Sequence, residues 1–107
     1  MHKLHIKPLS VNRAWQGRRF KTKEHKEYCQ DVIAYLPPLN LPSGKLCVSV
    51  VFGQSSKLAD IDNPIKIFLD CLQKRYGFND KHVYRLVVDK VDVEKGSEYI
   101  CFRIDSV

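Results

Sequence analysis

The sequence predicts a single α+β domain in which a small mixed β-sheet packs with two helices. Three observations predict it. The chain has 107 residues, a length that one hydrophobic core serves. Its apolar residues recur at strand alternation in some stretches and at helical spacing in others. Stop and turn residues such as Pro37-Pro38, Gly77 and Gly96 fall between those stretches. The predicted order over residues 1–107 is strand, basic loop or hairpin, helix, strand, helix, strand, strand. No linker, repeat or low-complexity segment divides it.

Each element has its own reason. Residues 2–9 read as a first strand, with Leu4, Ile6 and Pro8 on one side and Lys3, His5 and Lys7 on the other. Residues 10–21 form a basic loop or short hairpin turning at Gln16-Gly17. Thr22 stands where a helix N-cap belongs, and Glu24 and Glu27 face the positive end of the helix dipole. Tyr28, Cys29, Val32, Ile33 and Leu36 continue at helical spacing until Pro37-Pro38 stops them. In residues 45–53, Leu46, Val48, Val50 and Phe52 alternate with Cys47, Ser49 and Val51, which is a strand. A second helix over residues 62–75 buries Ile65, Phe68, Leu69 and Leu72, and Gly77 ends it. Residues 83–93 and 99–104 read as a β-hairpin around Glu94-Lys95-Gly96-Ser97.

Composition narrows the function classes. Hydrophobic residues make up 44% and charged residues 28%, as in a soluble globular protein. No run approaches the roughly 18 apolar residues of a membrane span, and Met1-His2-Lys3-Leu4-His5 is no signal peptide. Cys29, Cys47, Cys71 and Cys101 never form a CxxC pair and suit reduced, buried thiols of a cytosolic protein. The four histidines have no zinc-ligand spacing, and no phosphate-binding glycine loop for a nucleotide cofactor is present. The net charge is +6, distributed unevenly. Residues 1–57 carry ten basic and three acidic side chains, and residues 58–107 carry eight and nine. A polyanion such as nucleic acid is the natural partner of such a basic half; a solvated face is the alternative.

Two stretches can carry chemistry. In Leu58-Ala59-Asp60-Ile61-Asp62-Asn63-Pro64-Ile65-Lys66, Asp60 and Asp62 lie two apart in an extended approach to a helix, so both carboxylates can point to one side. Lys66 and Asp70 follow Asp62 at successive i+4 steps on one helical stripe, and Asp80 lies just past the helix end. Two carboxylates at ~5 Å repel by roughly 3 kcal/mol at an effective dielectric of ~20, and a divalent cation relieves this. An all-oxygen set selects Mg²⁺ or Mn²⁺, the ions of phosphodiester hydrolysis. The other reading of these residues is an N-cap at Asp62 or Asn63 with surface ion pairs at Lys66. In the basic loop, Arg13, Arg18, Arg19, Lys21 and Lys23 are interleaved with Trp15 and Phe20. The cations suit phosphates and an exposed aromatic suits bases, unless both rings anchor the loop on the core.

Asp60-Ile61-Asp62-Asn63, then Lys66, then Asp70 in Phe68-Leu69-Asp70-Cys71-Leu72, then Asp80 and Val83, resembles the RusA-type Holliday junction resolvases of phages and prophages. The N-terminal part is similar as well, in Pro8, Val11-Asn12-Arg13, Gly17-Arg18 and Thr22. The resemblance runs from about residue 4 to 104. It implies a homodimeric, Mg²⁺-dependent endonuclease of the bacterial or phage-infected cytoplasm that binds four-way DNA junctions and nicks two strands symmetrically. Carried over, Asp60, Asp62 and Asp80 hold the metal and Lys66 is the catalytic lysine, with Asp70 and Asn63 supporting. Asn12, Arg13, Trp15, Arg18, Arg19, Lys21 and Lys23 are its DNA-binding set. Where the family often has two adjacent acids, this chain has Asn79-Asp80. A branched-DNA binder of the same fold that does not cut is the alternative reading.

Overall fold

The computed structural model describes residues 1–9, 15–16 and 20–107. Along the chain come β1 (His2–Leu4), β2 (Trp15–Gln16), β3 (Phe20–Lys21), α1 (Lys23–Tyr35) and β4 (Leu46–Gln54). Then follow α2 (Ile65–Tyr76), a 3₁₀ turn at Asp80–His82, β5 (Val83–Asp92) and β6 (Tyr99–Ser106). The α+β class and the element order expected from the sequence are both present. Four strands form one mixed sheet in the order β1-β6-β4-β5, and β2 with β3 forms a separate hairpin.

Strand β4 organises the domain. Its Val48, Val50 and Phe52 are buried against the helices, and Ser49 on the opposite face is buried too. A strand with so little polar surface on either face needs a neighbour along both edges. It pairs with β5 in parallel and with β6 antiparallel. The hairpin expected between residues 83–93 and 99–104 therefore does not form, because β4 lies between the two strands. Residues 93–98 cross the width of β4 instead, about 10 Å between the outer strands. The first strand also ends sooner than its alternation suggests. Leu4 pairs with Ile100, and β6 begins only one residue before that, so the partner runs out.

Helix α1 starts as its sequence indicates, with the Thr22 hydroxyl accepting the His25 N–H at 3.1 Å. It ends at Leu36, which is extended, because the residue before a proline is driven out of helical geometry. Helix α2 begins at Ile65 and not at residue 62. Pro64 stands at its N-cap without a side-chain hydrogen bond, and the Phe68 N–H donates to the Pro64 carbonyl at 3.2 Å. The helix also turns a different stripe inward. Ile67, Phe68, Cys71 and Leu72 are buried, whereas Ile65 and Leu69 pack at the margin. Gly77, at φ 74°, closes the helix in the left-handed conformation that glycine tolerates best.

The core lies between the helices and one face of the sheet. Phe68 of α2 meets Phe52 and Phe102 edge-on, at ring centroids 6.1 and 5.8 Å away. Gly53 is required where it stands: a Cβ there would lie 2.5 Å from the Tyr99 ring. All four cysteines are free thiols, Cys29 and Cys71 buried, Cys47 and Cys101 partly so. Cys71 donates to the Cys29 sulfur at 3.3 Å where α1 meets α2. That hydrogen bond pulls the Cys29 thiol down to about 6 and pushes the Cys71 thiol up.

Candidate active site

The acidic motif lies on the loop that carries the chain from the end of β4 to the start of α2. Two short contacts shape that loop: the Ala59 N–H donates to the Ser56 carbonyl at 3.3 Å, and the Leu58 N–H to the Ser56 hydroxyl. A long-range contact then fixes it to the sheet. The Lys90 ammonium of β5 donates to the Ala59 carbonyl at 2.8 Å and to the Lys57 carbonyl at 3.4 Å. The residue it holds most closely is the one before Asp60. Leu58 meanwhile projects into solvent, 92% exposed.

Asp60 is exposed and accepts a hydrogen bond from the Asn63 amide at 3.2 Å. Asp62 is exposed in the turn before α2, Lys66 is exposed in its first turn, and Asp70 is half-buried one turn further. Two bland roles suggested by the sequence are not taken. Neither Asp62 nor Asn63 caps α2. Among the described residues, Lys66 forms no ion pair with Asp62 or Asp70. Asp60, Asp62 and Lys66 at this end of α2 are exposed to solvent.

Asp80 is placed elsewhere. Its carboxylate accepts from the Gln73 amide at 2.5 Å, in the last turn of α2. Eight residues of helix separate Gln73 from Ile65, about 12 Å along the axis, and Asn63 lies beyond that start. One chain therefore brings Asp60, Asn63 and, a step away, Asp62 and Lys66 to one end of α2, and leaves Asp80 at the other. Among the described residues, no group of three or more His, Cys, Asp or Glu is placed to hold a metal ion. Asn79 spends its side chain on the 3₁₀ turn, accepting from Lys81 N–H at 3.2 Å.

Asp60 and Asn63 line a cleft of about 850 Å³ whose opposite wall is α1. That wall presents Glu24, Glu27 and Asp31, the only acids in residues 1–57. Their spacing of three and four residues is readable as a helical stripe, but nothing local indicates that it faces Asp60. Tyr28 lies on the same wall with its hydroxyl buried and, among the described residues, without a hydrogen-bond partner. Burial pushes that phenol well above its ordinary value. Lys90 is the other residue that sequence reasoning misses, since its role depends on β5 lying beside β4.

Of the expected DNA-binding set, Asn12, Arg13, Arg18 and Arg19 lie outside the described residues. Trp15 and Lys21 pair with each other across the β2–β3 hairpin. Lys23 opens α1, largely exposed, 3.8 Å from Glu27. Among the described residues no helix is long and apolar enough to cross a membrane. The family model for endodeoxyribonuclease RusA matches residues 10–100 of the chain. No curated protein sequence matches it.

Proposed function

Because the chain belongs to the RusA endodeoxyribonuclease family, whose members act on branched DNA, we propose that it is a metal-dependent nuclease that resolves four-way junctions by paired nicks. The observation that supports this most directly is the cluster of exposed polar groups at the start of α2. Asp60, Asp62 and Lys66 are all exposed, and Asp60 lines the cleft against α1, within the stretch that the family match covers.

The donor set fits a hard cation. Asp60 and Asp62 offer only oxygen, and Mg²⁺ commonly takes one or two carboxylates and keeps water in its other positions. Such an ion supplies activation of water and charge neutralisation on the phosphate. The protein's own groups do the rest. Asn63 orients the Asp60 carboxylate through its 3.2 Å hydrogen bond. Lys66 places a positive charge beside the scissile phosphate, where it counters the charge that develops during hydrolysis. Asp70, one turn on, would take a supporting place at or just outside the metal's ligand set. Asp80, the third acid of the signature, reaches this end of α2 only from a second copy of the chain. That agrees with a homodimer, whose two equivalent sites match two symmetric cuts.

The test is nicking of a synthetic four-way junction in Mg²⁺, in EDTA and with Asp62→Asn, with linear duplex as the control. Paired cuts confined to the junction, lost in EDTA and in the variant, are expected. The second reading is a junction binder that does not cut, which the distance between Asp80 and the other acids favours. Tight junction binding without cuts in Mg²⁺ or Mn²⁺ would establish it.

A further inference from the structure

Strand β5 is the longer of the two edge strands of the sheet, ten residues against three for β1. Edge strands of that length are normally short-circuited by proline, a bulge or a covering element, since their open N–H and C=O groups recruit other strands. Here the residues from Arg85 to Asp92 keep unbroken register with β4 and include no proline. Tyr84, Leu86, Val87 and Val91 are 64%, 43%, 36% and 41% exposed. Arg85 and Asp89 are exposed as well, and among the described residues neither has an ion-pair partner.

We propose that β5 is the seam of the homodimer, pairing antiparallel with β5 of a second copy about a two-fold axis at Val87. The inference rests on the homodimer in the function proposed above and names its interface. The sequence of β5 is self-complementary in that register. Val87 faces the partner's Val87, and Leu86 faces the partner's Val88. Arg85 faces the partner's Asp89 on both sides of the axis, and Tyr84 faces the partner's Lys90. Moving the axis by one residue destroys the match. An axis at Leu86 sets Val87 against Arg85 and Asp89 against Val83. An axis at Val88 sets Lys90 against Leu86 and Asp89 against Val87. Cross-strand opposite charges and apolar pairs stabilise a sheet, and mismatches do not. Self-complementarity about one residue is what a second copy of this chain requires; an unrelated partner imposes no such symmetry. The resulting sheet would run continuously through eight strands. The same register sets each Asp80 level with the partner's Glu94, at the strand end from which Lys90 reaches the Asp60 loop.

A charge-swap series measured by sedimentation equilibrium tests this. Wild type should be a dimer. Arg85→Asp alone and Asp89→Arg alone each create two like-charge contacts and should weaken the dimer about thirtyfold. Arg85→Asp combined with Asp89→Arg restores both contacts in reverse and should recover the dimer. Monomeric wild type would overturn the proposal, as would single variants that dimerise like wild type. A double variant as weak as the singles would also overturn it. Junction nicking is scored separately: a dimer that responds to the swaps but does not cut sinks the nuclease reading alone, and a cutting monomer sinks the seam alone.

Discussion

Replacing Lys90 by Met isolates the tether that holds the acidic loop. Methionine keeps most of the unbranched stem, so the packing of that side chain along β5 is largely retained. What is lost is an ammonium that donates to two carbonyls, at 2.8 and 3.4 Å. Hydrogen bonds to a charged group contribute about 1.5–3 kcal/mol when buried. One of these is long and solvent-exposed and the other only partly buried, which brings the expected loss to about 1 kcal/mol. The effect on chemistry should be larger than that on stability. A displacement of about 1 Å in a reacting group can lower turnover roughly a hundredfold, and the tether ends one residue from Asp60. Junction nicking should fall by about ten- to a hundredfold, with faster amide hydrogen exchange confined to residues 57–60. Unchanged nicking together with a loosened loop would refute the reasoning, because Asp60 would then not depend on where its loop is held. Unchanged exchange would refute the tether itself.

Other perturbations have definite expected outcomes. Phe68→Ala removes the ring that meets both Phe52 and Phe102 and should destabilise the fold by about 3–5 kcal/mol in chemical denaturation. Lys66→Ala should lower turnover while junction affinity, read by gel shift, stays nearly constant; an equal loss in both would assign Lys66 to ground-state binding. Arg18→Ala with Arg19→Ala should weaken junction binding and flatten its dependence on salt, and an unaltered slope would remove these residues from the interface. The thiol pair gives a pH dependence. Cys29 is held at about 6 in the fold, below its ordinary value, so its contribution is complete above that ordinary value and lost as the pH falls through about 6. Cys71 is raised, so its contribution falls at pH above the ordinary value. Stability measured in urea should rise from pH 6 toward 9, and Cys71→Ala should flatten that rise.

What the sequence could reveal was decided by how local each determinant is. Thr22 caps α1 and Pro37 ends it through contacts within a few residues, so both boundaries are legible. Asp60, Asp62 and Lys66 are legible for the same reason, being close in sequence and at the same end of α2. The hairpin of residues 83–93 and 99–104 was misleading, because a valine-rich strand, a glycine turn and a second strand are the same local pattern whether or not a third strand intervenes. The signal against it lay in residues 46–54, whose two buried faces call for two neighbours. The start of α2 is not legible locally, because Asp62 and Asn63 have the chemistry of caps, yet the first helical bond is accepted at Pro64. Lys90 and the wall formed by Glu24, Glu27 and Asp31 were beyond local reasoning, since the packing of β5 and α1 alone brings them to the acidic loop.

The placement of those three acids on one wall has an electrostatic consequence for how DNA arrives. The first 57 residues hold ten cations, and every carboxylate among them lines a single trench facing Asp60. The three carboxylates share that cleft with Asp60, and Lys7 and His5 line it as well. A phosphate backbone approaching this cleft would meet a cluster of like charge, and charges so grouped bias orientation on encounter. In the nuclease proposed above, acids so placed would attract the cation and repel phosphate, so that DNA would meet the metal along the rim of the cleft.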